Sequence, residues 1–315
     1  MASPATRVLK RIWPWLAGLA ILVAVATRMP MGAFRDALGK GPHLRLAIVE
    51  AAIAALVLCS DSWSSWVGLV ALRMRRPLRD VFAVRGATYL LFLINYALGQ
   101  GGFGYYLHRS GETVRRAAGA VLFLIGTNFA TLLLLTAIGM AVAGTTVDAT
   151  LYWVIVFGLV GFAAYLAVIA IGPHWLARRP VLEPLFDAGL GGHALAVAGR
   201  IPHVTIVMLG HWVAMRAWGL DVPFVHGMLL MPAVAIATVL PISPAGLGTT
   251  QAAIVYFFAD YGVGLTSDDR AASVFVFAVV HFVYGIIMAL VLGAACFPFA
   301  KRRGISRHME LARET

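Results

Sequence analysis

Two cysteines and 14 acidic residues in 315 positions exclude several kinds of chemistry at once. Cys59 and Cys296 sit in separate apolar runs without the spacing of a metal site or redox pair. No H-E-x-x-H, C-x-x-C, G-x-S-x-G or P-loop pattern occurs. Direct use of ATP is therefore not expected. Most acidic residues fall at connections and ends, so no carboxylate cluster for a metal can be assembled. No cofactor, metal or catalytic residue is expected.

What the chain has instead is apolar surface. It is 61% hydrophobic and 12% charged, with a mean hydropathy of +0.85. A water-soluble domain of this length could not carry that composition, which predicts an all-α polytopic membrane protein. The net charge of +11 comes from 25 Lys and Arg concentrated in short connections. That pattern points to anionic lipid at the cytoplasmic face and not to nucleic acid. The basic-then-apolar start "RVLKRIWPWLAGLAILVAVAT" has the outline of a secretory signal, but "VAVATRMP" is a poor cleavage site. It reads as an uncleaved span.

Six runs are long enough to cross a bilayer: 12–29, 44–60, 117–143, 151–176, 201–218 and 271–299. Two more are interrupted, 82–108 at "GQGGFG" and 227–263 at "PISPAGLG". Connections without Lys or Arg, "AGTTVDAT" and "GLDVPF", should be external, and the basic clusters internal. Arg85 and Arg200 are counted among those internal charges. The segment "WVGLVALRMRRPLRDVF" reads as an amphipathic helix on the inner surface. The two interrupted regions then become helical hairpins entering from opposite sides, one in each approximate half, 1–143 and 151–299. Both termini, including the basic tail 300–315, are cytoplasmic on this reading, and the whole chain is one membrane domain. The basic positions Arg28, Arg35, Lys40 and Arg45 would lie outside, against the charge rule. Oppositely directed hairpins suggest an inverted repeat with a site near the bilayer midplane.

"VLPISPAGLGTTQ" bears most directly on function. Pro241 and Pro244 remove backbone donors, and Gly246 and Gly248 allow turning and close approach. Such backbone at membrane depth must be buried by protein or line a wet cavity. Thr249, Thr250 and Gln251 open the next helix, whose free N–H groups suit a phosphate. Ser243 would join them. The alternative is a tight loop between two full spans.

The stretch "LPISPAGLGTTQAAIVYFFADYGV" resembles the proline- and glycine-rich signature of the lysylphosphatidylglycerol synthase transmembrane family, the flippase-like membrane domains. "SSWVGLVALRMRRPLRDVFAVRGATYLLFLINYALGQGGFGYYLHR" is similar to that family's first half. The resemblance covers nearly the whole chain at low identity. It implies re-entrant hairpins in two related halves and movement of a lipid between leaflets, without the soluble synthase domain and so without aminoacyl transfer. Where family members carry Glu, Gly and Pro, this chain has Gln251, Ala245 and Gly99. Their Glu-Arg-x-x-Asp pattern is represented by neutral Thr127, Asn128 and Thr131, and an Arg by His281. The expectation is a cavity largely stripped of charge, suited to a less charged headgroup, to different ion coupling, or to a divergent branch such as the hopanoid-associated one.

On this reading Gln100, Gly101 and Gly102 line the cytoplasmic entry, and Asn95, just before the break, bonds to the backbone groups opened there. Arg109 and Asn128 contribute to lipid binding, and His281 marks a pathway. Each has a plainer alternative: capping for Asn95, an interfacial charge for Arg109, a neutral interhelical hydrogen bond for His281. The leading expectation is a translocase for a phospho-headgroup or isoprenoid lipid in a bacterial inner membrane. The rivals are a membrane-embedded transferase on lipid-linked intermediates, which would need a carboxylate or histidine cluster, and an accessory subunit of lipid biosynthesis. Expected partners are the lipid itself and, on the accessory reading, biosynthetic enzymes; a homo-oligomer is compatible with either.

Overall fold

The computed structural model describes residues 4–94, 96–143, 149–239, 243 and 246–311. Asn95, Pro241, Pro244 and most of the "AGTTVDAT" connection lie outside the described residues. Within them the chain is helical, with no strand. The elements are α1 (Pro4–Ala26), α2 (Met31–Lys40), α3 (His43–Ala71), α4 (Leu78–Phe92), α5 (Tyr96–Arg109), α6 (Val114–Ala143), α7 (Ala149–Ile171), α8 (His174–Ala177), α9 (Glu183–Trp218), α10 (Phe224–Val239), α11 (Thr249–Phe258) and α12 (Ser267–Leu311).

Five helices are long and apolar enough to cross a membrane, and six if α1 and α2, bent by 101° at their junction, count as one span. This is a multi-pass membrane architecture. Its outward surface agrees: Trp153, Phe157, Val160 and Ile171 on α7 are all exposed, as the bilayer permits and water would not.

Packing is organised around α3 and α9. They run antiparallel, with Gly210 against Ile53 and Gly199 against Val67, small residues letting the backbones approach. Around this pair the hairpins are exchanged. α4 and α5 pack on each other, and α12 lies along α4; α10 and α11 pack on each other, and α6 lies along α10. Two apolar clusters fill the interior. One centres on Met215, Phe258 and Phe277, the other on Leu72, Phe103 and Phe123.

Two local expectations are corrected. "WVGLVALRMRRPLRDVF" is not a surface helix: α3 continues to Ala71, a turn with Arg73 at φ 58° follows, and α4 begins at Leu78. The apolar run simply extends past the interface tryptophans, and Trp66 Nε1 caps the turn by donating to the Arg76 carbonyl at 3.0 Å. "GQGGFG" does not break the hairpin either. It lies inside α5, and the chain turns earlier, between α4 and α5. Gly99, Gly102 and Gly104 serve close packing, since a methyl group at each would press on Phe92, Leu91 and Val121 respectively.

Candidate functional site

Glu50 and Asp61 are the two acids placed well inside apolar stretches of α3. A carboxylate there survives only with partners. Asp61, 4% exposed, has two. Arg85 on α4 reaches Oδ2 with Nη2 at 2.6 Å and Nε at 2.7 Å, two charge-assisted donors converging on one oxygen. Arg200 on α9 reaches Oδ1 with Nη1 at 2.9 Å. Both arginines are also 4% exposed.

The surroundings hold this triad in place. The Arg85 guanidinium lies 5.5 Å over the Phe92 ring and 5.3 Å over Phe103, a favourable cation–π arrangement. Its Nη1 donates to Gln100 Oε1 at 3.4 Å, and Gln100 Nε2 donates to the Tyr96 hydroxyl at 3.0 Å. Ser60 donates to the Val57 carbonyl at 3.1 Å, so its oxygen accepts from His203 Nδ1, also at 3.1 Å. That leaves His203 Nε2 as the open atom of the ring.

Apart from Phe103 and Ser60, which stand behind the wall, these groups line a cavity of about 350 Å³, completed by Tyr89, Asn128, Thr238 and Ser243. Two guanidiniums share one carboxylate, so the wall carries a net positive charge. The Ser243 hydroxyl, 7% exposed, has no hydrogen-bond partner. A buried cation without a counter-ion costs several kcal/mol, and an unpartnered buried hydroxyl about 1–3 kcal/mol. The cavity is electrically and sterically fitted to an anion with hydrogen-bond acceptors.

The second hairpin supplies Ser243 through a tight turn. Gly246 and Gly248 have φ of 75° and 80°, where a side chain is strained. Gly248 is the N-cap of α11, and its N–H donates to Gln251 Oε1 at 2.6 Å, one half of a capping box. Thr249 Oγ1 donates to the Ala237 and Gly246 carbonyls at 3.1 Å, and Thr250 Oγ1 donates to Thr238 Oγ1 at 3.0 Å. α11 therefore begins at Thr249 as the sequence predicts, but its polar first turn is occupied with tying the hairpin together. Gln251 is 1% exposed and caps the chain. It is not among the cavity-lining residues.

The structure thus sorts the predicted residues. Gln100, Asn128 and Ser243 line the cavity, and Thr250 touches its wall through Thr238. Gly246, Gly248, Thr249 and Gln251 shape the turn. Gly101 is exposed. Gly102 and Arg109 border a different, largely apolar groove of about 570 Å³ on the other side of α4, with Lys301 and Phe297. His281 belongs to a separate cluster with Glu50 and His211. Asn95, Pro241 and Pro244 are not described.

Sequence reasoning missed Asp61, Arg85, Arg200, His203, Tyr89 and Tyr96. The expectation of a cavity stripped of charge is overturned, because the charges arrive from α3, α4 and α9, not from α6. Arg85 and Arg200 had been counted as internal-loop charges, yet each lies within a helix and is buried. The signal that could have found them was Asp61 itself, in "LVLCSDSWSSW": an acid in an apolar run demands a cation from elsewhere. A carboxylate–histidine grouping is present as well, at Glu50, His281 and His211. Among the described residues, however, no group of His, Cys, Asp and Glu could hold a metal, and both Asp61 oxygens are engaged.

No family model matches the chain, and neither a curated protein nor a solved structure matches it.

Proposed function

We propose that the chain is a lipid translocase that takes an anionic, phosphate-bearing headgroup into the Arg85–Asp61–Arg200 cavity while the apolar tails stay in the bilayer. The observation that carries this reading is two buried arginines sharing one carboxylate, facing a cavity with an unpartnered hydroxyl at Ser243. The volume suits a headgroup and falls at the lower end of small-ligand pockets, roughly 300–1,000 Å³. It is too small for a headgroup with its chains.

The finer architecture belongs to the same reading. α3–α6 and α9–α12 form two related sets of opposite orientation, their first helices paired antiparallel and each hairpin seated on the last helix of the other set. α4–α5 and α10–α11 are re-entrant hairpins opening to opposite faces, which is how inverted repeats build an alternately accessible midplane site. The hydropathy and loop charges fit a bacterial inner membrane with both termini cytoplasmic, and the motifs around residues 64–109 and 240–263 support membership of the flippase-like lysylphosphatidylglycerol synthase transmembrane family. A transferase would need a free base at the headgroup; both Asp61 oxygens are engaged, and the open Nε2 of His203 would have to serve.

The test is leaflet-resolved movement of fluorescent phosphatidylglycerol in proteoliposomes, with a zwitterionic lipid as comparison. Wild type should move the anionic lipid selectively, and Arg200→Gln should abolish movement while remaining monodisperse in detergent. Equal movement of both lipids by wild type and variant would sink the proposal.

A further inference from the structure

The α3·α9 pair carries a second buried polar layer, and its chemistry differs from the first in one respect. Glu50 lies eleven residues before Asp61 on α3, and His211 eleven residues after Arg200 on α9. Eleven residues are three helical turns, so each layer faces the same way and the two are roughly 16 Å apart along the axis. In the first layer the carboxylate is held by arginines, which do not release protons. In the second it is held by a histidine, which does.

Glu50 is 3% exposed, and its Oε1 is paired with His281 Nδ1. The His281 ring packs edge-on against the His211 ring, centroids 4.8 Å apart, and stacks on Phe277 at 5.4 Å. His211 Nδ1 is 2.8 Å from the Val207 carbonyl, an acceptor only, so Nδ1 carries the proton and Nε2 is open. One turn beyond His281, the Tyr284 hydroxyl lies 3.5 Å from His43 Nδ1, and His43 Nε2 donates to the Leu38 carbonyl at 2.7 Å at an exposed site. The titratable groups brought together are thus Glu50 and His43 from α3, His211 from α9, and His281 and Tyr284 from α12. Arg216, further along α9, is engaged by Asp221 at the exposed end of the helix.

We propose that Glu50, His281 and His211 form a proton-exchanging relay, with Tyr284 and His43 as its route to the surface, and that it couples lipid movement to a proton gradient. The inference rests on the translocase reading and supplies its energy source. Protonation of Glu50 leaves His281 without its counter-ion, and proton transfer to His211 moves positive charge from α12 to α9. Either event changes the electrostatics of the helix pair that also holds Arg200. The relay acts on the same two helices as the anion cavity without sharing a residue with it.

The experiment uses the full chain in phosphatidylcholine vesicles containing fluorescent phosphatidylglycerol and an internal pH dye, with and without an imposed pH gradient. Glu50→Gln preserves shape and hydrogen bonding, and His281→Gln is the second variant. Infrared difference spectra taken between about pH 5 and about pH 8 report the Glu50 carboxyl independently of transport. Expected are gradient-accelerated lipid movement with proton flux in wild type, loss of both the acceleration and the flux in the two variants, and a pH-dependent carboxyl band absent from Glu50→Gln. Wild-type movement indifferent to the gradient, or a Glu50→Gln variant that responds like wild type, overturns the coupling and leaves the translocase reading standing. No lipid movement under any condition overturns both, and intact gradient-free movement in the variants separates the two cases.

Discussion

Asp61 on α3 and Arg200 on α9 are 139 positions apart in sequence and 2.9 Å apart in the structure. Their bond joins the two helices at the level of the cavity, and it accounts for why a carboxylate can sit in the middle of an apolar helix at all. Removing it should be costly. Asp61→Asn leaves two buried guanidiniums without a counter-charge, and the expected loss is about 3–5 kcal/mol of stability, read as a lowered unfolding transition in detergent. Adding an anionic phospholipid should recover part of that loss, because it would replace the missing negative charge. An Asp61→Asn protein as stable as wild type would contradict the burial argument.

Ser243→Ala should behave in the opposite way. The hydroxyl has no partner, so its removal is expected to leave stability unchanged or raised by up to about 1 kcal/mol. Affinity for phosphatidylglycerol should fall about tenfold, the worth of one hydrogen bond to a charged oxygen. Thermal unfolding and lipid titration on the same preparation check both halves.

Gly248→Ala tests the turn. At φ 80° a side chain is strained, and the added carbon would also run into the Gly18 carbonyl of α1. A loss of about 1–3 kcal/mol is expected. Gln251→Ala, which frees the Gly248 N–H without strain, should cost nearer 1 kcal/mol. If the two variants were equally mild, the turn would be tolerant and its glycines would need another explanation.

Topology can be read by cysteine labelling in a background lacking Cys59 and Cys296. A cysteine replacing exposed Asp221 should react with an impermeant maleimide from outside intact cells. One replacing exposed Arg179 should react only after the membrane is opened. The reverse pattern would invert the orientation and place both termini outside.

The sequence was most legible where local chemistry is decisive. Each of the six apolar runs has its helix, because an unbroken stretch of apolar residues has no better way to satisfy its backbone in lipid. The start of α11 at Thr249 was visible from the glycines before it. Local pattern misled at "GQGGFG", where glycines that look like a break are contact surfaces inside α5, and at 28–45, where basic residues read as a loop include the short helix α2.

By itself the sequence determined the membrane environment, the helices and the turn of the second hairpin, all of which follow from hydropathy and backbone constraints over a few neighbouring residues. Tertiary structure decided which charges are buried. Arg85 and Arg200 are written in the sequence no differently from the arginines of the loops, and Glu50 and His281 stand 231 positions apart. A charge within the bilayer is stable only beside its partner, and here the partners come from other helices brought close by packing.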